Sequence, residues 1–393
     1  MKTFNEKALY IYKFVGQCLP IYAFYPILFI ERGMTVSNVT LLIALWSAFS
    51  IVFEMPAGIL ADRWNRRNML AIAAVLQGAC FVIWFFSYSF FMFALGFLFW
   101  GIAGAFTSGT EESLIYDNLK YDGREDDFTK IYGQAQFFAA IGVLVGIGSA
   151  GAISILIDVE VIALISAVVC FVNVMFVFRI REKNAYTKQK NEESASIFGT
   201  LKKALSFLRG SSIALACILF LVLFGMGSYM DEFDALIAND WDVSLLWVSG
   251  ILVIRFAFAA LGDVLAPIVG KKIKSVCQIL LLNVFACVLL AAFALIWNWY
   301  AILLFGIAFM LMAITQILLV DALQKEIKEE GRATVMSFFG VGQNLAMIIL
   351  SLIFAALLRI IPLQQVYVLV AIYGIVGGLI FCLVLMKPRQ KKA

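Results

Sequence analysis

The chain has 393 residues, 63% of them hydrophobic and only 14% charged, and a formal charge of +4. Soluble globular chains carry about 25% charged residues, and a soluble surface cannot hide this much Phe, Leu, Ile and Val. The mean hydropathy of +0.96 therefore excludes a soluble domain and places the chain in a lipid bilayer.

In chain order the apolar blocks predict twelve spans, at 8–30, 38–61, 69–88, 91–116, 131–153, 159–178, 211–236, 243–269, 275–296, 299–322, 333–358 and 365–386. Each has roughly the 20 residues that cross a bilayer. Lipid offers backbone groups no partner, so the spans must be helices. The expected fold class is an all-α membrane protein of twelve transmembrane helices in two six-helix bundles. Lys and Arg set the direction. The termini and even-numbered gaps hold Lys2, Lys7, Arg63, Arg66, Arg67, Lys120, Arg124, Lys271, Lys272 and Lys274, whereas the opposite loops hold only Arg32 and Arg359. This asymmetry predicts that both termini are cytoplasmic. Trp241, Trp247, Trp297 and Trp299 fall at span ends, as an interfacial belt requires. One long polar gap divides the chain into an N-terminal bundle (1–180), a cytoplasmic linker (181–210) and a C-terminal bundle (211–393). Part of the linker reads either as an interfacial amphipathic helix or as a solvated connection.

The seven Cys stand singly in apolar segments without CxxC spacing and read as packing side chains. There is no His, which excludes His-based metal sites and His proton carriers. No basic patch with interleaved aromatics points to nucleic acid. No nucleophile–base pair or phosphate-cradling loop points to an enzyme, and no cofactor is implied.

Between the second and third spans runs GILADRWNRR, residues 58–67. The halves also echo each other. LIYDNLK (114–120) ends the fourth span and LLVDALQK (318–325) ends the tenth, with Asp117 and Asp321 in matching places. Parallel halves of this kind belong to one class of secondary carrier. On these residues the chain resembles the major facilitator superfamily, whose signature at this turn is similar to GxLaDrxGRR. The matching residues are Gly58, Leu60, Asp62, Arg63, Arg66 and Arg67, and Asn65 stands where the family usually has Gly. Asn tolerates unusual backbone angles, so the turn is expected to survive. The resemblance implies a gating latch in which Arg66 pairs with Asp117. The fifth span, with Gly133, Gly142, Gly146 and Gly151, looks like the exporter-type motif; packing glycines explain the same spacing. Drug:proton antiporters carry an Arg in the fourth span, near the place that Phe97 holds here.

Ionisable residues inside spans face a cavity or a partner. The candidates for coupling or substrate binding are Glu54, Glu111, Glu112, Asp231, Glu232, Asp234 and Arg255. Arg255, near the middle of the eighth span, either pairs with Asp231, Asp234 or Glu54 or grips an anionic substrate. Lys13 is expected to snorkel. By analogy with family helices, the cavity aromatics are Tyr22, Tyr25, Trp46, Phe49, Phe137, Phe138, Tyr229, Phe233, Phe338 and Phe339. Aromatics together with carboxylates suit an amphipathic cation or zwitterion. The expectation is a monomeric carrier in the cytoplasmic membrane that exports such compounds in exchange for protons by alternating access, a multidrug-efflux antiporter. Proton- or sodium-linked uptake of a nutrient and a non-transporting scaffold or receptor are the alternatives.

Overall fold

The computed structural model describes residues 4–61, 64–182, 211–225, 230–241, 243–273, 275–326 and 329–386. Among them are fifteen α-helices. They are α1 (Glu6–Gln17), α2 (Tyr25–Glu31), α3 (Val36–Ala61), α4 (Arg66–Phe86), α5 (Phe90–Thr107), α6 (Thr110–Tyr121), α7 (Phe128–Ile153) and α8 (Val159–Arg179), followed by α9 (Ser212–Phe224), α10 (Asp234–Asp240), α11 (Leu245–Gly270), α12 (Val276–Ile296), α13 (Ile302–Glu326), α14 (Glu329–Leu357) and α15 (Leu363–Met386). The chain divides into two compact units, Met1–Lys190 with Asp242–Val253, and Asn191–Trp241 with Ile254–Ala393.

Among the described residues ten helical segments are long and apolar enough to cross a membrane, where twelve were expected. The shortfall falls on the first and seventh expected spans, which are interrupted. The first consists of α1, a short 3-10 turn over Pro20–Ala23, and α2. Pro20 and Pro26 account for the break, because each lacks a backbone N–H and restricts the residue before it. The seventh consists of α9, which stops at Gly225, and α10. A 12-residue α1 reaches only ~18 Å and a 7-residue α2 ~10 Å, so neither crosses a ~30 Å hydrocarbon layer alone. The fourth expected span is also broken, between α5 and α6, where Gly109 has φ +69°. A side chain would be strained there.

Short polar side chains set the helix starts. Asn5, Asn65, Ser89, Ser211 and Ser275 each accept a hydrogen bond from a first-turn backbone N–H of the helix that follows. This corrects the reason given for Asn65. Its φ is −65°, so it serves as the N-cap of α4 and not as a residue of unusual backbone angle.

In the first unit α4 packs against α5 and α8, and α1 against α7. The α7 glycines make that last approach possible: a Cβ on Gly142 would lie 2.3 Å from the Phe14 carbonyl oxygen, and one on Gly146 2.6 Å from the Leu19 nitrogen. In the second unit α12 packs against α13 and α15, and α9 against α13 and α15. Cys277 of α12 and Cys382 of α15 form a disulfide, which corrects the reading of all seven cysteines as packing residues. Isolated spacing carries no information about pairs 105 residues apart.

Candidate functional site

The charge centre of the first unit follows from the break in the fourth span. Ending α5 at Thr107 and restarting at Thr110 places Glu111 and Glu112 in the first turn of α6, where unpaired backbone N–H groups favour negative charge. Glu111 turns inward. Its Oε2 lies 2.6 Å from Lys13 Nζ, and its Oε1 accepts a 2.7 Å hydrogen bond from the Tyr12 hydroxyl. The side chains of Lys13 and Glu111 are 10% and 12% exposed, so Lys13 does not snorkel. An interior carboxylate within its reach holds the ammonium inside. Adjacent helical residues diverge by about 100°, and Glu112 is exposed, accepting a 2.8 Å hydrogen bond from the Tyr132 hydroxyl. Beside the Lys13–Glu111 pair lies a cavity of about 60 Å³ lined also by Gln17, Gln77, Thr107 and Asn173. Sequence reasoning missed Gln77 and Asn173. Their signal was available as single amides inside otherwise apolar spans.

The second unit has a different centre. Asp234 opens α10 and is fully buried. Arg255, from the middle of α11, brings its Nε to 3.0 Å from Asp234 Oδ2 with its side chain 5% exposed. The guanidinium carbon lies 4.6 Å from the Phe256 ring centroid and 4.5 Å from that of Phe309. Asp234 is thus one of the three partners expected for Arg255 that the structure brings to it. The Asp231 side chain lies outside the described residues, Glu232 is half-buried, and Glu54 is exposed on α3 two residues before Pro56.

Around the 58–67 turn, Arg66 forms an ion pair with Asp117, as the family resemblance implied. Glu182, just beyond α8, accepts hydrogen bonds from the backbone N–H groups of Arg66 (3.0 Å) and Arg67 (3.1 Å). It holds the start of α4 against the end of the unit. The Arg67 guanidinium lies 5.5 Å from the Phe178 ring centroid. Gly58 is exposed, and Asp62 and Arg63 lie outside the described residues. Asp321 does not repeat the arrangement of Asp117. It is exposed and pairs with Lys325 of its own helix at 2.5 Å. At the other end of the first unit, Arg32 pairs with Glu160 and its guanidinium lies 3.8 Å over the Tyr88 ring. Burial, and then the carboxylates of Glu160 and Asp158, push the adjacent Glu31 carboxyl above its ordinary value, and Arg32 offsets part of the effect.

The expected cavity aromatics separate into groups. Tyr22 stacks on Trp100 (5.4 Å between centroids) and accepts a 2.8 Å hydrogen bond from Gln77; Trp46 lies 5.5 Å from Trp100. These three are partly exposed. Tyr25 is instead buried against Phe29, Trp84 and Phe97, and Phe233 is buried against Phe354. Phe339 belongs to the apolar core of the second unit. Phe137 and Phe138 are exposed, the latter stacked on Tyr10. Tyr229 and the Phe338 side chain lie outside the described residues.

Comparison with known proteins bears on the family and the fold. The family model of the Major Facilitator Superfamily matches residues 14–329. An uncharacterized MFS-type transporter, YfkF of Bacillus subtilis (strain 168), is 32% identical over 59 residues, 15% of each chain. Among solved structures, the nucleoside transporter NupG superposes with a TM-score of 0.81 at 14% identity, covering 98% of this chain and 99% of that one. A D-xylose-proton symporter superposes with a TM-score of 0.72 at 13% identity, covering 95% of each. A bacterial homolog of the human lysosomal transporter Spinster reaches 0.72 at 15% identity, covering 96% of this chain and 95% of that one. The chain belongs to the Major Facilitator Superfamily and is a multi-pass, secondary-active carrier that works by alternating access, not an enzyme.

Proposed function

We propose that this carrier imports a small polar solute together with protons, and that it crosses the membrane twelve times with both termini cytoplasmic. The twelve-crossing reading counts α1 with α2, and α9 with α10, as two discontinuous spans at equivalent places in the two halves. Such paired interruptions point to the transport pathway. The Arg66–Asp117 pair would act as a latch at the cytoplasmic end of the first bundle.

The observation that carries the reading is how the buried carboxylates are engaged. Glu111 is held by Lys13 and Tyr12, and Asp234 lies against Arg255. A cationic drug would have to displace a tethered ammonium or guanidinium, and Arg255 is not poised to grip an anion. The partly exposed Tyr22–Trp100–Trp46 ladder, with Gln77 beside it, suits a neutral solute that stacks and hydrogen-bonds. The fold's likeness to a nucleoside transporter and a D-xylose-proton symporter supports uptake over the drug export expected from the glycines of α7. Gly142 and Gly146 have a packing role that accounts for them.

The test is accumulation of a panel of radiolabelled nucleosides and pentoses in proteoliposomes holding an inward proton gradient. At least one is expected to accumulate and to be lost on adding a protonophore. Gradient-driven expulsion of cationic dyes, with no accumulation of any neutral solute, would overturn the proposal.

A further inference from the structure

The cavity beside Glu111 has a feature that the ion pair does not explain. Asn173 of α8 is 3% exposed, lines the cavity, and its Oδ1 accepts no hydrogen bond from the described residues. The amide is confined at its other end, since a Cβ on Gly16 would meet Asn173 Nδ2 at 2.6 Å. A buried amide oxygen without a donor is costly, and waters are the usual remedy in polar cavities with several partners. A volume of about 60 Å³ has room for a few waters.

From these observations we infer an internal hydration site in the first unit, anchored on Asn173 Oδ1, through which Glu111 exchanges a proton with solution. Water at Asn173 donates to the amide oxygen and reaches the Lys13–Glu111 pair, with Gln17, Gln77 and Thr107 as further polar walls. The step is a simple transfer: a hydronium ion gives its proton to the Glu111 carboxylate, leaving neutral Glu111 and a water. Lys13 keeps its charge, so the pair passes from net zero to +1. Among the described residues, the titratable groups facing Glu111 are Tyr12 and Lys13 from α1 and Tyr132 from α7, with Glu112 on its own helix. The walls contributed by α4, α5 and α8 (Gln77, Thr107 and Asn173 among them) are uncharged. Neutralising Glu111 loosens the tie between α1 and α6, the two broken elements of the unit. This inference rests on the proton-coupled reading and places its titrating group.

Infrared difference spectroscopy of the full chain in lipid bilayers tests it without transport. Acidification of the wild type is expected to produce the carbonyl-stretch band of a protonated carboxyl, together with a water band that shifts in H₂¹⁸O. Glu111→Gln loses the carboxyl band. Glu111→Asp keeps a carboxyl band at a changed position, so the assignment does not depend on one variant folding. Asn173→Leu, close in size, loses the water band and slows protonation after a pH jump at least tenfold. A carboxyl band unchanged in Glu111→Gln, or Asn173→Leu spectra and rates matching wild type, would overturn the site. Proton-gradient-driven accumulation that persists in Glu111→Gln would overturn the site as the coupling group while leaving proton-coupled transport intact. Wild-type transport indifferent to the gradient, with the bands present, would overturn the functional reading and not the site.

Discussion

The two halves of this carrier keep their charges in opposite places. α2 and α10 each have 7 residues, α3 and α11 each 26, and α4 and α12 each 21, so the halves can be read position by position. Asp234 opens α10 and Arg255 is the eleventh residue of α11; their counterparts are Tyr25, which opens α2, and Trp46, the eleventh residue of α3. An ion pair in one half is matched by rings gathered on Trp100 in the other. Conversely, six residues before Asp117 is Glu111, and six before Asp321 is Thr315. The space beside Thr315 is only about 10 Å³, against about 60 Å³ beside Glu111. A duplicated framework therefore holds one charge centre flanked by Phe256 and Phe309, and one polar centre beside a cavity with room for water. If Glu111 is the proton-exchanging group, as proposed, the Asp234–Arg255 pair is left a structural role, and variants of the two centres should behave differently.

Removing a carboxylate from each centre is the sharpest way to break this contrast. Asp234→Ala takes a buried carboxylate away from Arg255 and is expected to cost about 3–5 kcal/mol, read as a large fall in the thermal midpoint of the purified protein. Asp234→Leu combined with Arg255→Met removes both charges and is expected to recover most of that loss, because an apolar replacement of a buried pair is often neutral. The recovered protein should transport with the wild-type pH profile. A double variant that is stable but no longer responds to the proton gradient would move the coupling role to the Asp234–Arg255 centre.

The same deletion in the Lys13–Glu111 centre is expected to cost less stability and more function. Glu111→Gln keeps the shape and a hydrogen-bonding group, and water can solvate Lys13, so the loss should be about 1–3 kcal/mol. Gradient-driven accumulation should fall at least tenfold while energy-independent exchange of solute survives. Equal destabilisation of Asp234→Ala and Glu111→Gln would erase the distinction. Gly142→Val tests the framework that positions Lys13. Its Cβ would approach the Phe14 carbonyl oxygen at 2.3 Å, and pushing α1 off α7 should cost roughly 1–3 kcal/mol by overpacking. Exposed Gly133, where a Cβ would meet nothing within 4 Å, should accept Ala with little change.

Much of this is legible in the amino-acid sequence itself. Helix positions follow from apolar length, and the Arg66–Asp117 pair follows from the family turn. Arg255 needs a carboxylate, and Asp234 is among those within reach. The interruptions are legible in part, since Pro20 and Pro26 stand inside a run whose hydropathy alone reads as one span. The identity of Lys13's partner is not legible. It depends on the Gly109 break, which resets the facing of α6 so that Glu111 and not Glu112 turns inward, and on how α1 packs among α6, α7 and α8. Asn173 is hidden for a related reason. An amide in an apolar span is ordinary until its oxygen is seen to be buried and facing a cavity. The Cys277–Cys382 bond likewise depends on α12 lying along α15, which a single sequence does not encode in any local pattern.

The smallest expected effect separates the two rim aspartates that the sequence makes equivalent. Asp117 reaches across to Arg66 on another helix, with its side chain 41% exposed, whereas Asp321 meets Lys325 one turn along its own helix, 53% exposed. Solvent screens both, so neither contributes more than about 1 kcal/mol to stability, and the i,i+4 pair contributes about 0.3–0.5 kcal/mol. Their difference should show in function. Asp117→Asn unties α6 from the start of α4, the point where Glu182 also holds the chain, and should change the balance between open states. Crosslinking of cysteine pairs placed across the inner rim would report that balance. Asp321→Asn only frees a lysine on the surface of α13 and should leave the crosslinking pattern as in wild type. Matching shifts in both variants would mean that the halves latch symmetrically, and that the asymmetry between the charge centres stops at the rim.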